Sequence, residues 1–253
     1  MKIFVLVKQV PDTETSIKVS GASIVETGVK WIVSPFDEHA LEESLRLREK
    51  TGGEITAVCL GPERSVEALR TAYALGVDKA VHLKDDSYNV LDTGYAARLL
   101  AAYLKDQAPD VILTGHVAID SSSSLVPTMV AQLMGAASIN NAVELSVENG
   151  TVKAKREIEG GTANMEVPSP AVVTAAKNLN DPRYPSLKGI MAAKKKQIET
   201  VEASSLGVQP PKIEVTSLEM PPARPEGRVI EGEEPEAKAA ELVKLLRDEA
   251  KVV

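Results

Sequence analysis

The densest run of small hydrogen-bonding groups lies between Gly115 and Ser124, reading Gly-His-Val-Ala-Ile-Asp-Ser-Ser-Ser-Ser. It follows the apolar run Val111-Ile112-Leu113 and leads into an apolar-periodic stretch from about Ser124, so it joins a strand end to a helix start. A loop so placed offers unpaired backbone N–H groups and the positive end of a helix dipole, and it suits a phosphate. The hydroxyls of Ser121, Ser122, Ser123 and Ser124 add donors. A solvated polar loop with one serine as helix cap is the plainer reading, and both stand. No Walker pattern is present, so hydrolysis of a nucleoside triphosphate is not implied.

A second candidate is Ser34-Pro35-Phe36-Asp37, at another strand end. It is placed to meet an adenine or a ribose, or else it is a capped helix start and nothing more. His116 reads as a hydrogen-bonded loop residue, since no local signature ties a carboxylate or serine to it. His39 reads as structural and Cys59 as a buried small hydrophobe. There is no nucleophile elbow or paired-carboxylate motif, which leaves an independent hydrolase poorly supported. The third candidate is Asn178 to Met191, which sets Leu187, Ile190 and Met191 beside Lys194-Lys195-Lys196. An apolar anchor flanked by cations suits docking onto a partner with an acidic rim. Equally, the apolar residues are core and the lysines a solvated surface.

These segments need elements to hold them. Lys2 to Lys8, Glu54 to Leu60, Asp78 to Leu83 and Val111 to Leu113 are short apolar runs expected as buried strands. Helices are expected from Ser34 to about Lys50, about Glu63 to Leu75, Asp92 to Lys105 and about Ser124 to Met134. Ser34 is read as N-cap, with Pro35, Asp37 and Glu38 suiting the first turn. The alternation predicts an α/β fold with a doubly wound, mainly parallel sheet. Ligands bind such sheets at the C-terminal strand ends, here the loops at 8–13, 34–37, 60–62 and 115–124. Residues 15–33 read as a small hairpin. Further on, Glu144–Val147 and Thr151–Ile158 read as strands around a type I′ turn at Asn149-Gly150, and Ala171–Ala175 as another buried strand. Residues 200–235 are proline-rich and short of apolar runs, and are expected to wrap another surface or be partly flexible. A last helix is expected over Ala237–Ala250.

The chain of 253 residues carries a formal charge of −7, which disfavours a nucleic-acid coat. Its 1 cysteine allows no internal disulfide and fits a reducing compartment. The histidines at 39, 82 and 116 form no metal-ligand spacing. The apolar start is too short for a signal peptide, and no run approaches the ~20 apolar residues of a membrane span, so a cytoplasmic protein without membrane insertion is expected.

Several segments in order resemble the beta subunit of electron-transferring flavoproteins. They are Val5 to Thr13, Ser34 to Glu43, Leu69 to Gly76, Gly115 to Asp120, Arg156 to Gly161 and, most specific, Leu179 to Lys196 with its Asn-Asp-Pro-Arg-Tyr-Pro-Ser-Leu run. The resemblance spans nearly the whole chain. It implies a Rossmann-like, adenine-nucleotide-binding domain over 1–199. It also implies an extended arm and helix over 200–253 that pack on an alpha subunit holding most of a redox FAD. It places nucleotide contacts at Leu6, Ser34, Pro35, Phe36, Asp37, Leu60 and the stretch Gly115, His116, Ala118, Asp120, Ser121 to Ser124, Leu125 and Val126. Partner docking falls on Arg183, Tyr184, Leu187, Ile190, Met191 and Lys194, and Glu157 lies near the alpha subunit.

The function implied is electron carriage without bond chemistry in this chain. Electrons pass from flavin dehydrogenases, such as acyl-CoA dehydrogenases, to a quinone-side oxidoreductase, with a structural AMP in this subunit. Two alternatives stand beside it: an electron-bifurcating member with a second, redox-active FAD in place of AMP, and a stand-alone adenine-nucleotide sensor of the universal-stress type. The sequence departs from the family at Ser34, commonly Asn. It departs again after Asp120, where Ser121 to Ser124 and Leu125-Val126-Pro127 replace a glycine-rich run. Fewer glycines imply fewer positions with positive φ, and Pro127 contributes no N–H.

Overall fold

β1 (Lys2–Val7) sends Ile3, Val5 and Val7 into one apolar cluster and Phe4 and Leu6 into another. Such two-faced burial marks a central parallel strand covered by helices on both sides. The computed structural model describes residues 1–224, 226–232 and 234–253. After β1 come β2 (Gln9–Pro11), the small hairpin of β3 (Val19–Ser20) and β4 (Ser23–Ile24), and β5 (Trp31–Val33). The hairpin expected over 15–33 is thus smaller, because β5 pairs antiparallel with β2 instead.

The alternation then runs α1 (Pro35–Thr51), β6 (Glu54–Gly61), α2 (Val66–Leu75), β7 (Lys79–Lys84), α3 (Thr93–Lys105), β8 (Val111–Gly115) and α4 (Val126–Met134). Four strands follow, β9 (Ala137–Glu148), β10 (Thr151–Ile158), β11 (Gly161–Pro168) and β12 (Ala171–Ala175). Then come α5 (Leu187–Ala193), β13 (Glu199–Glu202) and α6 (Pro235–Asp248).

The main sheet has 9 strands in the order β11-β10-β9-β12-β8-β1-β6-β7-β13. Neighbours from β9 to β13 in that order run parallel, and β10 and β11 extend the sheet antiparallel. Leu41 and Leu45 of α1 and Leu69 of α2 join the cluster on one face, while Leu99 of α3 and Val130 of α4 join the other. This is the doubly wound α/β arrangement the alternation predicts. From β1 the chain builds outward through β6 to β7, then returns to the opposite side of β1 for β8. That reversal opens a crevice between the C-terminal ends of β1 and β8.

The turn at Asn149-Gly150 has φ of 49° and 75°, the two positive values of a type I′ hairpin. The strand before it is longer than expected. β9 pairs with β12 over its first half and with β10 over its second, kinking at Asn141, whose φ is 61°. β11 is an addition, a polar edge strand with no apolar run to announce it.

Two compact units are present, Met1–Ser217 and Leu218–Val253. The boundary expected at 199/200 therefore cuts through an element of the first unit, since β13 pairs with β7 along the sheet edge. Ala203 is buried in the α3/α4 cluster, and the Lys212 N–H donates to Asp92 Oδ2 at 2.9 Å. The second unit contains α6, and within it Arg228 pairs with Glu249 at 3.2 Å. None of the described helices is long and apolar enough to cross a membrane.

Candidate functional site

Asp37 ties the crevice together. One carboxylate oxygen accepts from the Lys8 N–H at 2.7 Å and the other from the Gly115 N–H at 2.8 Å, so a single side chain on α1 clasps the ends of β1 and β8. The residue is buried. Burial pushes its pKa up to about 7, against the two N–H bonds and the Lys8 charge that pull it down. The clasp demands glycine at 115. A Cβ there would lie 2.5 Å from Asp37 Oδ1 and 2.7 Å from the Phe36 carbonyl carbon.

The same close approach changes the roles expected at 34–36. Ser34 makes no side-chain cap; its carbonyl accepts from the Asp37 N–H at 2.8 Å, and its Oγ is buried without a partner among the described residues. Phe36 packs edge-on to His116, with ring centres 6.4 Å apart. Ser34, Pro35 and Phe36 support the crevice from behind and do not line it, whereas Asp37 does.

The cleft is an open groove of about 720 Å³ with the solvent at its mouth included. Leu6, Val58, Leu60, Ala96 and Leu100 give it an apolar floor. Gly115, His116, Ala118, Ser121, Ser123, Ser124, Leu125 and Val126 form one wall. Asp120 and Ser122 belong to the same loop but do not line the cleft. The loop turns back on itself through the Ser122 N–H, which donates to the Ala118 carbonyl at 2.9 Å. Ser122 and Ser124 have φ of 50° and 52°, so serines occupy the positive-φ positions that the loss of glycines was expected to close. The N–H groups of Val117 to Ser121 and of Ser123 and Ser124 have no protein acceptor among the described residues. An apolar floor beside a loop of free N–H donors suits a ligand with an apolar part and an anionic group.

His116 is held through its backbone N–H, which donates to the Ala175 carbonyl at 3.0 Å; no carboxylate binds its ring among the described residues. No cluster of metal-ligating side chains occurs among them either. Among the lining residues that sequence reasoning did not name, Lys8 and Tyr88 bear titratable groups. Lys8, at the end of β1, reaches across to Asp120 with Nζ 2.8 Å from Oδ1. Tyr88 enters from the loop after β7, and burial raises its pKa. That loop also ends a parallel strand, and its Asp85-Asp86-Ser87 and Asn89 turn residues were the available signal.

The segment after β12 is fastened down from below. Arg183 bonds Glu42 through Nε at 2.8 Å and Glu49 through Nη1 at 2.7 Å, so its guanidinium staples the segment onto α1. His39 and Asn180 make a further tie, with Asn180 Nδ2 donating to the His39 carbonyl at 3.0 Å and to Glu43 at 2.9 Å. α5 then starts at Ser186, whose Oγ accepts from the Gly189 N–H at 3.0 Å. Gly189 lets α5 press on α2, because a Cβ there would strike the Ala74 carbonyl. Arg70 closes the far end by donating to the Ala193 carbonyl at 2.7 Å.

On this rigid base Tyr184, Leu187 and Met191 are 94%, 82% and 69% exposed, and Ile190 lies beside them. They are not core, and a fixed exposed apolar patch of this kind marks an interaction surface more often than not. Lys194 and Lys195 stand exposed at its edge, whereas Lys196 turns inward to the Val77 carbonyl at 2.9 Å. Glu157 lies apart on β10, exposed, and accepts from Asn178 Nδ2 at 3.3 Å.

The family model of the electron transfer flavoprotein domain matches residues 21–206. The chain is 41% identical to the electron transfer flavoprotein subunit beta of Bacillus subtilis over 258 residues, covering 100% of both chains. It is 38% identical to that of Syntrophomonas wolfei, over 100% of this chain and 98% of the relative. To that of Mus musculus it is 38% identical, over 91% of this chain and 93% of the relative. With the α/β fold and the cleft at the strand reversal, these matches show that the chain belongs to the electron transfer flavoprotein family, as a beta subunit.

Proposed function

We propose that the chain works in a heterodimer with an alpha subunit, carrying electrons from flavin dehydrogenases, such as acyl-CoA dehydrogenases, to a quinone-side oxidoreductase. The redox chemistry is supplied by an FAD that the alpha subunit holds. This chain does no bond chemistry; its cleft holds a structural AMP. The observation that carries the reading is the cleft itself, in which loop N–H groups without a protein acceptor among the described residues lie beside an apolar floor. A bound nucleotide would satisfy those donors and add its binding free energy to the fold.

The arrangement also supports a division of surfaces. The patch of Tyr184, Leu187, Ile190 and Met191, with Lys194 at its edge, docks the dehydrogenase, and Arg183 holds it in shape. The second unit, Leu218–Val253, packs on the alpha subunit, which agrees with the apolar residues Leu242 and Val243 on its helix. Glu157 faces the alpha subunit. The buried Cys59 thiol, whose pKa burial raises to about 12, fits a cytoplasmic protein with no call for oxidation chemistry.

The test is nucleotide content. The chain is co-expressed with its alpha subunit, the complex is purified, and acid-released FAD and AMP are quantified. One FAD and one AMP per heterodimer is the expected result. Two FAD and no AMP would replace the structural nucleotide by a redox-active one and make this an electron-bifurcating assembly. A chain that purifies as a homodimer and ignores the alpha subunit would point to a stand-alone nucleotide sensor.

A further inference from the structure

Charge is scarce in the cleft. Among the described residues that line it, Lys8 is the one lysine or arginine, and Asp37 is the one carboxylate. Asp120 stands just behind the lining loop and holds the Lys8 ammonium at 2.8 Å. The two side chains are 20% and 16% exposed, so the pair is partly shielded from water and each charge depends on the other. A phosphate dianion entering this space meets the Asp37 carboxyl group and an ammonium that Asp120 already engages. Free N–H groups alone do not offset that balance, because they carry partial charges only.

Resting on the nucleotide reading of the cleft, we infer that Lys8 is the phosphate-binding cation of the site and that Asp120 is its resident competitor, holding the ammonium until a phosphate displaces it. Lys8 ends β1, where its backbone N–H is fixed by Asp37, so its base is immobile while its four-carbon stem swings between two anions. A flexible ammonium suits this exchange better than a planar guanidinium would. Asp120 then weakens nucleotide binding. It neutralises Lys8 in the apo protein, and freeing Lys8 from it is part of the cost of loading.

The experiment uses the alpha/beta complex freed of nucleotide, titrated calorimetrically with AMP and with adenosine. Lys8→Met is expected to weaken AMP ~10–100-fold, the range of one charge-assisted hydrogen bond, and to leave adenosine within about twofold. Lys8→Arg restores part of the AMP affinity. Asp120→Asn is expected to tighten AMP by about threefold or more, and that gain disappears in the Lys8→Met background.

A pair with only a structural role gives a different result. Both variants would then lose stability, and Asp120→Asn would weaken AMP or leave it unchanged, which overturns the inference. Equal affinity of the wild type for AMP and adenosine would also overturn it, with the nucleotide reading left intact. Failure of the wild type to bind either would overturn the nucleotide reading itself.

Discussion

Replacing Gly115 with alanine puts a methyl group into the clasp at the heart of the crevice. Its carbon would lie 2.5 Å from Asp37 Oδ1 and 2.7 Å from both the carbonyl carbon and Cβ of Phe36. Two of those neighbours belong to the backbone or sit rigidly on it, so the first turn of α1 must move off β8. The movement lengthens the 2.8 Å bond from the Gly115 N–H to Asp37. Overpacking a tight site costs ~1–3 kcal/mol, and losing a hydrogen bond to a charged buried group costs ~1.5–3 kcal/mol. The two overlap, since one shift relieves the first by incurring the second, and together come to ~3–5 kcal/mol. That is a large share of the ~5–15 kcal/mol a domain has. For a chain of this size it lowers Tm by roughly 6–20 °C.

Thermal unfolding followed by far-UV circular dichroism reads the shift. Gly161→Ala is the control, since a Cβ there meets nothing within 4 Å and a surface change of this kind stays within ~0.5 kcal/mol. If Gly115→Ala melts within a degree or two of that control, the clasp does not need glycine, and the account of how α1 seats against β8 is wrong.

Arg183→Leu leaves Glu42, 4% exposed, with Arg46 as its sole cation among the described residues, and is expected to cost ~1–3 kcal/mol in urea unfolding because the staple is only partly buried. Burial pushes Glu42 upward, but the bonds from Arg183 and Arg46 bring its pKa below the usual carboxylate range, and Arg183 lowers Glu49 as well. The staple's contribution is therefore full above the unfolded value and lost as pH falls through the lowered folded values, so the gap between variant and wild type should close as the pH drops below the usual carboxylate range. Asp37 runs the other way. Its pKa is raised from 3.8 to about 7, so stability falls as pH climbs through that interval, and Asp37→Asn should flatten that part of a stability–pH profile. An unchanged slope would contradict the burial argument. Leu187→Ala is expected to slow electron transfer from the partner dehydrogenase with flavin content unchanged; normal stopped-flow rates would remove the docking role of the patch.

The parallel half of the fold was legible because both-sided burial leaves a simple trace. β1, β6 and β8 read as apolar runs, and α1, α2 and α4 end at glycines that interrupt periodicity. β11 and β13 were not legible. Both are edge strands with polar or charged residues at most positions, and what makes them strands is the neighbouring edge of β10 or β7, not their own side chains. The loops around the site were found because parallel sheets bind ligands at one end, a rule of topology that needs only the order of elements. The loop carrying Tyr88 follows β7 and obeys the same rule.

The sequence by itself determined the family, the alternation of strands and helices, the end of the sheet where the cleft opens, and the serine loop that walls it. Those features reside in local patterns and in residues contiguous along the chain. Tertiary structure decided which individual residues do the work. Asp37 became a clasp between two strand ends while still lining the cleft, and Ser34 lost its capping role. Arg183 turned inward as a staple while Leu187 beside it turned out, and Lys8 met Asp120 from 112 positions away. Each of these depends on distances of a few ångströms between segments far apart in the chain. Hydrogen bonds and ion pairs act only over that range, so no reading of spacing along the sequence contains them.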